Sequence, residues 1–288
     1  MQVDDMNEHD TADAKFGAPR LAATFYVDEA YSQKHAHMVH KHSGTLELLY
    51  IFSGEGRYLV GHREYAVHTG NLIVCNGGTL HGESPFQQHT MQTYCIALSG
   101  VQIEGLPANC LIDAEQRPVL SLGDVDDTVR HLMMTLHRLF SDKACDTILC
   151  QTLAMSVLLL VYHENAVQQK SSRTIAERKT EYLVRHITEY LDQNYTQPVT
   201  LAEIGETLHI SVSHLSHLFK RETGLAPMQY VIYRRIGEAQ SLLMETEQPI
   251  HCIEEQLGFG SSCHLSAMFK KYVGISPKEY RQHFRKTE

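Results

Sequence analysis

The segment at residues 214–230, HLSHLFKRETGLAPMQY, is repeated fifty positions later at residues 264–280 as HLSAMFKKYVGISPKEY. Eight of the seventeen positions are identical in the two copies: His, Leu, Ser, Phe, Lys, Gly, Pro and Tyr. A recurrence at one fixed offset marks a duplicated structural unit, and two copies are too few for a solenoid. The sequence therefore predicts a pair of similar small helical units in the last third of the chain.

Helix start and stop signals divide each copy into two short helices joined by a tight turn. In the first copy, Thr200 and Glu203 have the spacing of a capping box, in which each side chain accepts a hydrogen bond from the other residue's backbone N–H. Gly224 ends the second helix, whose leucine and phenylalanine residues fall on one face and whose polar and basic residues fall on the other. This pattern is typical of a helix-turn-helix, and we predict two such units, at about residues 200–224 and 249–274.

A helix predicted between residues 227 and 244 separates the two units. Its roughly 17 residues span about 26 Å at ~1.5 Å per residue. The recognition helices of dimeric helix-turn-helix proteins lie about 34 Å apart, which is one turn of DNA. Once the width of the units is added, one chain can present two recognition helices to successive major grooves. The sequence therefore predicts binding to double-stranded DNA.

The first part of the chain carries a different pattern, in which short apolar runs are broken by glycines from about residue 21 to residue 98. Runs such as LELLYIFS and NLIVC recur at a spacing of roughly ten residues, with turn residues between them. Such spacing is typical of a small antiparallel barrel or sandwich. The fold class predicted for the whole chain is therefore α+β with two domains.

Two histidines and a glutamate near the start of this region have the spacing His40-x-His42-x4-Glu47, and a Gly-rich turn later leads to His81. The period of two places His40 and His42 on one face of a strand, and His81 can then complete a set of three imidazoles and one carboxylate inside a barrel. Three interpretations stay open. The set binds a divalent metal, it binds a small polar ligand without metal, or it fills the mouth of the barrel.

Two helices are predicted after the strands, between residues 124 and 163. The first has a wide apolar stripe, and the second, around MSVLLLVY, is apolar over most of its circumference. The pair can pack on the barrel, or it can bury its surplus apolar face against the same pair in a second copy of the chain. No run approaches the ~18 consecutive apolar residues of a membrane helix, so no membrane partner is expected.

Charge and cysteine content separate the two parts of the chain and indicate its compartment. Of the 25 basic and 34 acidic residues, 14 of each lie from Ser171 onward, so 11 basic and 20 acidic residues precede it. This split fits two domains with different partners. The seven cysteines are an odd number without CxxC pairs, so we expect reduced, mostly buried thiols and a cytoplasmic protein.

Two resemblances to known families follow from these motifs. The segment at residues 177–284 resembles the DNA-binding domain of the AraC/XylS family of bacterial transcription regulators, through ISVSHLSHLFKRETGLAPMQY and LGFGSSCHLSAMFKKYVGISPKEYR. The histidine and glutamate spacing resembles the two motifs of the cupin superfamily, with Asn76 where that family usually has proline. By the second resemblance, the N-terminal domain is a cupin-like β-barrel, and the positions that ligate metal in metal-dependent members are His40, His42, Glu47 and His81.

The AraC/XylS resemblance also implies which residues contact DNA. The base-reading positions are carried over to Ser213, His214, Ser216 and His217 on the first recognition helix, and to Cys263, His264, Ser266 and Ala267 on the second, with Ser262 as a further DNA-binding residue. Many members have arginine or glutamine at the last position of each set, where this chain has His217 and Ala267, which weakens bidentate reading of guanine. The expected phosphate contacts are Lys220, Arg221, Lys270 and Lys271.

These observations predict a transcription regulator rather than an enzyme. The predicted organisation is a flexible tail at residues 1–20 without the features of a signal peptide, an effector-binding domain at 21–165, a linker at 166–176 and a DNA-binding domain at 177–288. The resemblance implies promoter DNA, RNA polymerase and a small polar effector as partners, with a sugar as the first expectation, activation of transcription, and a homodimer formed through the helices at 124–163. The alternative is a metal-dependent cupin enzyme or a metal sensor fused to a DNA-binding module.

Overall fold

The computed structural model describes two domains, a β-domain followed by a helical domain. The described residues are 16–28, 39–41, 44–83, 91–114, 116–142, 147–168, 175–260 and 262–284. The α+β prediction with two domains is confirmed. Among the predicted features, residues 1–15 of the tail, His42 and residues 169–174 of the linker lie outside the described residues.

In the β-domain, the residues that the structure describes form eight strands in two antiparallel sheets. They are β1 (Gly17–Val27), β2 (Leu46–Ser53), β3 (Glu55–Val60), β4 (Arg63–His68), β5 (Asn71–Cys75), β6 (His81–Glu83), β7 (Gln92–Val101) and β8 (Val119–Ser121). One sheet has the order β1-β7-β2-β5-β8 and the other has the order β4-β3-β6. The first strand begins at Gly17, four residues before the predicted start of the domain.

Strand β2 is buried on both faces, which explains its nearly continuous apolar sequence. Leu46, Leu48 and Tyr50 point to one face, where they join a core shared with two helices. Leu49 and Ile51 point to the opposite face, where they meet residues of the three-stranded sheet. Because successive side chains of a strand alternate between faces, Glu47 must point into the space between the two sheets.

The two predicted helices, α1 (Asp126–Ser141) and α2 (Thr147–Gln168), pack on the outer face of the five-stranded sheet. Val129, Met133 and Leu136 of α1 and Ala154 and Val157 of α2 are fully buried there. By length and composition alone, the stretch Thr147–Ala166 could also cross a membrane, as the core helix of a globular protein often can. Its inner side is occupied by the sheet and by α1.

Between residues 175 and 284, the described part of the helical domain has seven helices, and the predicted helix-turn-helix pattern is present twice. They are α3 (Ile175–Asn194), α4 (Leu201–Leu208), α5 (Val212–Thr223), α6 (Pro227–Glu245), α7 (Ile250–Gln256), α8 (Ser262–Val273) and α9 (Pro277–Phe284). Units α4–α5 and α7–α8 are bridged by α6 and surround a single apolar core.

The predicted helix ends of the helical domain are confirmed in detail. The predicted capping box of Thr200 and Glu203 has both of its hydrogen bonds. A second capping box, between Ser276 and Glu279, opens α9. Gly224 follows α5 with φ of 76°, in the left-handed region that glycine adopts without strain. Local sequence therefore sets where these helices begin and end.

Candidate DNA-binding surface and effector site

The first recognition helix, α5, has one buried face and one exposed polar face. Leu215, Leu218 and Phe219 are buried in the core of the helical domain. The opposite face exposes Ser213, His214, His217, Lys220 and Arg221, and Ser216 lies half-buried beside them. Ser211 caps the helix by accepting a hydrogen bond from the His214 backbone N–H at 3.2 Å.

The second recognition helix, α8, repeats this exposure pattern at an offset of fifty residues. Leu265 and Phe269 are buried, as are Leu215 and Phe219 in the first copy. The exposed residues are His264, Ala267, Lys270 and Lys271, with Ser266 half-buried; the side chains of Ser262 and Cys263 are not described. The His264 ring also packs edge-on against Phe259, with 5.5 Å between the ring centroids. Each helix thus presents a histidine, a serine and basic residues to solvent.

Arg235 on α6 joins the two helix-turn-helix units through backbone carbonyl groups. Its guanidinium donates hydrogen bonds to the carbonyls of Tyr195 at 2.5 Å and Gln197 at 3.0 Å, which precede α4. It also donates to the carbonyl of Gly258 at 2.7 Å, in the turn of the second unit. One side chain therefore ties the segment before the first unit and the turn of the second unit to the bridging helix.

Arg234 is the second arginine of this pair, and it is buried. Its guanidinium lies 3.0 Å from Glu238 and 3.6 Å from Asp192, and it stacks over the ring of Tyr195 at 4.5 Å. In the sequence, Arg234 and Arg235 form a basic pair like those on the recognition helices. Only the position of their helix shows that they serve the scaffold, because α6 crosses the interior of the domain.

Three of the four predicted effector-site residues come together between the sheets. His81 Nε2 lies 3.2 Å from the Glu47 carboxylate, and the ring centroids of His40 and His81 are 4.7 Å apart. One ligand atom from each of the three residues lies within 4.8 Å of the others. The backbones of His40 and His81 form a pair of hydrogen bonds at 2.9 and 2.8 Å, which holds the two imidazoles side by side.

Two cysteines that sequence reasoning did not assign to the site lie beside Glu47. Cys95 Sγ is 3.7 Å from the Glu47 carboxylate, and Cys75 is the cross-strand neighbour of Glu47. Burial raises the pKa of both thiols well above the ordinary value, and the nearby carboxylate raises it further. The signal in the sequence was the period of two in NLIVC and TYCIA, which places each cysteine on the inward face of its strand.

Asn76 occupies the position where the cupin motif usually has proline, and its side chain holds a loop. Its amide donates to the carbonyl of Ile112 at 2.7 Å, and its side-chain oxygen accepts from the Leu111 N–H at 2.9 Å. The residue is buried, so these bonds satisfy an amide that would otherwise be costly to bury. Asn76 therefore supports the site from outside it.

The β-domain contacts the helical domain next to this cluster. Val39, which precedes His40, packs with Leu59 and Leu80 into the core of the helical domain. A Cβ atom added to Gly237 of α6 would lie 2.8 Å from the carbonyl carbon of Val39, so only glycine allows this approach. Glu64 on β4 lies beside Gly224, directly after the first recognition helix. The cluster of His40, Glu47 and His81 is thus linked to α6 through Val39, the residue that precedes His40 and contacts Gly237.

Comparison with known proteins agrees with both halves of this description. A helix-turn-helix domain model matches residues 204–283, and an AraC-like ligand binding domain model matches residues 23–158. The HTH-type transcriptional regulator YdiP of Escherichia coli is 27% identical over 269 residues, covering 93% of this chain and 87% of that protein.

Two further relatives cover different parts of the chain. The lactose operon transcription activator of Staphylococcus xylosus is 24% identical over 237 residues, covering 81% of this chain and 82% of that protein. The multiple antibiotic resistance protein MarA of Escherichia coli is 32% identical over 88 residues, covering 30% of this chain and 69% of that protein. With a ligand-binding domain and a DNA-binding domain of matching type, the chain belongs to the AraC family of transcription regulators.

Proposed function

We propose that the protein activates transcription from specific promoters in the cytoplasm in response to a small polar effector, with RNA polymerase as its partner. The observation that carries this proposal is the repeated exposed face of α5 and α8. Both helices turn a histidine, a serine and basic residues outward from a shared scaffold. Imidazole and hydroxyl groups can read base edges, and lysine or arginine can contact phosphates.

A sugar is the effector class that we favour for the cupin-like barrel of the β-domain. Carboxylate and imidazole groups hydrogen-bond to hydroxyl groups, and His40, Glu47 and His81 supply three such groups at one place. The similarity to a protein named lactose operon transcription activator supports the same class. Effector binding at His40 would act on α6 through Val39. His40 and Val39 are adjacent in the chain, and Val39 lies against Gly237 of α6.

The DNA-binding proposal is tested by titrating a labelled promoter fragment at several salt concentrations. Replacing His217 by alanine removes a base-reading group that makes at most single hydrogen bonds, so we expect a loss of about 0.5–1.5 kcal/mol on the specific site and little on unrelated DNA. Replacing Lys220 by glutamine removes a phosphate contact, so affinity should fall on all sequences and the salt slope should fall by about 1. Fluorescence anisotropy measures both effects.

A matched control uses an exposed arginine far from the recognition helices. Arg138→Gln on α1 removes the same charge from the β-domain, and both affinity and salt slope should stay unchanged. A variant carrying His214→Ala, His264→Ala, Lys220→Gln and Lys270→Gln should lose specific binding altogether. If that variant still bound the promoter with its original affinity, the assignment of α5 and α8 to the major groove would be wrong.

We also propose a homodimer formed through the outer face of α2. Ile148, Thr152, Met155 and Leu159 follow the spacing of one helical stripe, and Ile148 is 75% exposed while Leu159 is 36% exposed. Leu149, beside this stripe, is 46% exposed. Burying such apolar area against a second copy stabilises a dimer by roughly 25 cal/mol per Å² before the cost of association.

The dimer is tested by Ile148→Glu, with sedimentation equilibrium as the measurement. A carboxylate placed in an apolar interface is desolvated without a partner. We therefore expect the dissociation constant of the dimer to rise by at least about tenfold, or ~1.4 kcal/mol. As a control, Met228→Glu on α6 introduces the same charge at another apolar residue, which is 40% exposed. This variant should keep the molecular mass of the wild-type oligomer in solution. Equal sedimentation of wild type and Ile148→Glu would contradict an interface on this face.

A second candidate function is a metal sensor, or a metal-dependent enzyme joined to a DNA-binding module. The specific observation is the convergence of His40, Glu47 and His81, whose donor atoms lie within 4.8 Å of one another. Metal content measured after purification separates the candidates. A stoichiometric metal that is lost in Glu47→Gln would favour this second candidate over the metal-free sugar site.

A further inference from the structure

We propose that Glu64 on β4 is a positioning residue for DNA recognition, because it holds the C-terminal end of the first recognition helix, α5. The inference rests on the proposed function in taking α5 and α8 as the helices that read the two halves of the DNA site. It goes beyond that function because it assigns a residue of the β-domain to one half only. The half-site read by α5 then depends on the β-domain, whereas the half-site read by α8 does not.

One face of the three-stranded sheet packs against the helical domain. Leu59 on β3 belongs to the core of the helical domain, and Glu64 is its direct cross-strand partner on β4. Residues that are directly opposite in an antiparallel pair have their side chains on the same face, so Glu64 also points toward the helical domain. Among the described elements, β4 and α5 form the largest contact between a strand and a helix of the helical domain.

Glu64 meets α5 at the glycine that ends the helix. A Cβ atom added to Gly224 would lie 3.1 Å from Glu64 Oε2 and 3.4 Å from the carboxyl carbon of Glu64, so the carboxylate lies against the backbone at this point. Gly224 donates its backbone N–H to the Lys220 carbonyl at 2.9 Å, which closes the last turn of α5. Lys220 and Arg221 of this turn are the residues proposed to contact phosphates. Glu64 therefore supports the part of α5 that carries them.

An ion pair fixes the Glu64 side chain in this position. Arg57 Nε donates a hydrogen bond to Glu64 Oε2 at 2.6 Å, and the Glu64 side chain is only 12% exposed. A carboxylate beside the C-terminal end of a helix is unfavourable with respect to the helix dipole, so a positive partner is needed to hold it there. Arg57 supplies that charge from the same face of β3, since it is two residues from Leu59. The β-domain itself thus holds the carboxylate against α5.

The second unit is an internal comparison, because the equivalent end of its recognition helix is more exposed. Gly274 follows α8 with φ of 90° and donates its N–H to the Lys270 carbonyl at 3.0 Å, as Gly224 does in the first copy. Gly274 is exposed, whereas Gly224 is half-buried. The next residue is buried in the first unit, as Leu225, and half-buried in the second, as Ile275. Two copies with the same local geometry therefore differ in what covers the end of the recognition helix.

Double-mutant cycles on the full-length protein test the inference, with a DNA duplex selected by wild type from a random-sequence library as the probe. Glu64→Ala releases the end of α5 and should weaken binding to this duplex by at least about threefold. In that variant, His214→Ala with His217→Ala on α5 should cost at least about threefold less affinity than in wild type, because a helix that is not held spends less time in the groove. The pair His264→Ala with Ser266→Ala on α8 should cost the same in both proteins.

Glu55→Ala is the matched control, because it removes an exposed glutamate from the neighbouring strand of the same sheet. It should change neither the affinity nor the cost of either pair of substitutions. Glu64→Gln keeps the shape of the side chain but loses the ion pair with Arg57, so it should weaken binding less than Glu64→Ala. Circular dichroism checks the folding of each variant, and Glu64→Gln replaces Glu64→Ala in the cycles if the latter does not fold.

Three outcomes would overturn the inference. They are an unchanged affinity in the Glu64 variant, an equal dependence of both recognition helices on Glu64, and a dependence of α8 alone. A different result would contradict the proposed function itself. If neither pair of substitutions weakened the binding of wild type to the selected duplex, α5 and α8 would not be the helices that read DNA. The failure of the Glu64 assignment and the failure of the proposed function are therefore distinguished by the wild-type background alone.

Discussion

Replacing Gly237 by alanine is expected to detach the β-domain from the helical domain. The added Cβ would lie 2.8 Å from the carbonyl carbon of Val39 and nearer still to its oxygen, so the backbone at Val39 has to move. Overpacking of this kind costs about 1–3 kcal/mol, which shifts the equilibrium between docked and undocked domains by roughly 5- to 150-fold. Limited proteolysis in residues 169–174, between α2 and α3, measures the undocked fraction.

The same substitution should leave the helical domain itself intact and slightly more stable. Gly237 lies inside α6, where alanine is favoured over glycine by roughly 0.5–1 kcal/mol. We therefore expect faster cleavage between the domains together with an unchanged or raised thermal midpoint of the helical domain. Promoter affinity should become independent of the added effector, since Val39 no longer rests on α6.

The control for this prediction is another glycine of the helical domain. A Cβ added to Gly260 meets no atom within 4 Å, so Gly260→Ala should change neither cleavage nor the effector response. Equal cleavage rates for wild type and Gly237→Ala would show that the two domains are not held together through Val39.

Replacing Arg235 by alanine is expected to destabilise the helical domain strongly. Its guanidinium donates to the carbonyl groups of Tyr195, Gln197 and Gly258, and alanine leaves these acceptors without that donor. The bonds to Tyr195 and Gly258 are partly buried, and the bond to Gln197 is exposed. A hydrogen bond from a charged donor contributes about 1.5–3 kcal/mol, so the two partly buried bonds predict a loss of at least ~3 kcal/mol. Thermal or urea unfolding followed by circular dichroism measures the loss.

The effect on DNA binding should be larger than unfolding alone explains. Because Arg235 connects the segment before the first unit with the turn of the second unit, its loss should let α5 and α8 move relative to each other, and both must face successive major grooves at once. We expect promoter affinity to fall even at temperatures where the variant remains folded. Arg235→Lys keeps the charge but supplies no planar fork, so it should recover only part of the stability.

Arg185→Ala is the matched control because it removes the same side chain from an exposed site. Arg185 lies 3.8 Å from Glu189 one turn along α3, and both side chains are well exposed. An exposed ion pair of this kind contributes about 0–1 kcal/mol. If Arg235→Ala unfolded at the same urea concentration as Arg185→Ala, its three backbone contacts would not hold the units together.

Much of the helical domain could be predicted because its signals are local. Ser211, Thr200 with Glu203, and Gly224 mark helix ends through bonds that reach only three or four residues along the chain. The repeat then extended one prediction to both units, and the exposed faces of α5 and α8 agree with it. The β-domain was predictable only as a set of strands, because which strands pair depends on residues far apart in sequence.

The sequence by itself determined the two helix-turn-helix units, their caps and the exposed face of each recognition helix. With 3.6 residues per turn, the order of apolar and polar residues along the chain decides which face of a helix is buried. Only the tertiary structure decided three contacts: Cys95 lies beside Glu47, Arg235 hydrogen-bonds to the Gly258 carbonyl of the second unit, and Val39 contacts Gly237. Each of these contacts joins residues between 23 and about 200 positions apart. No local periodicity encodes such contacts, because they depend on strand register and on the packing of one domain against the other.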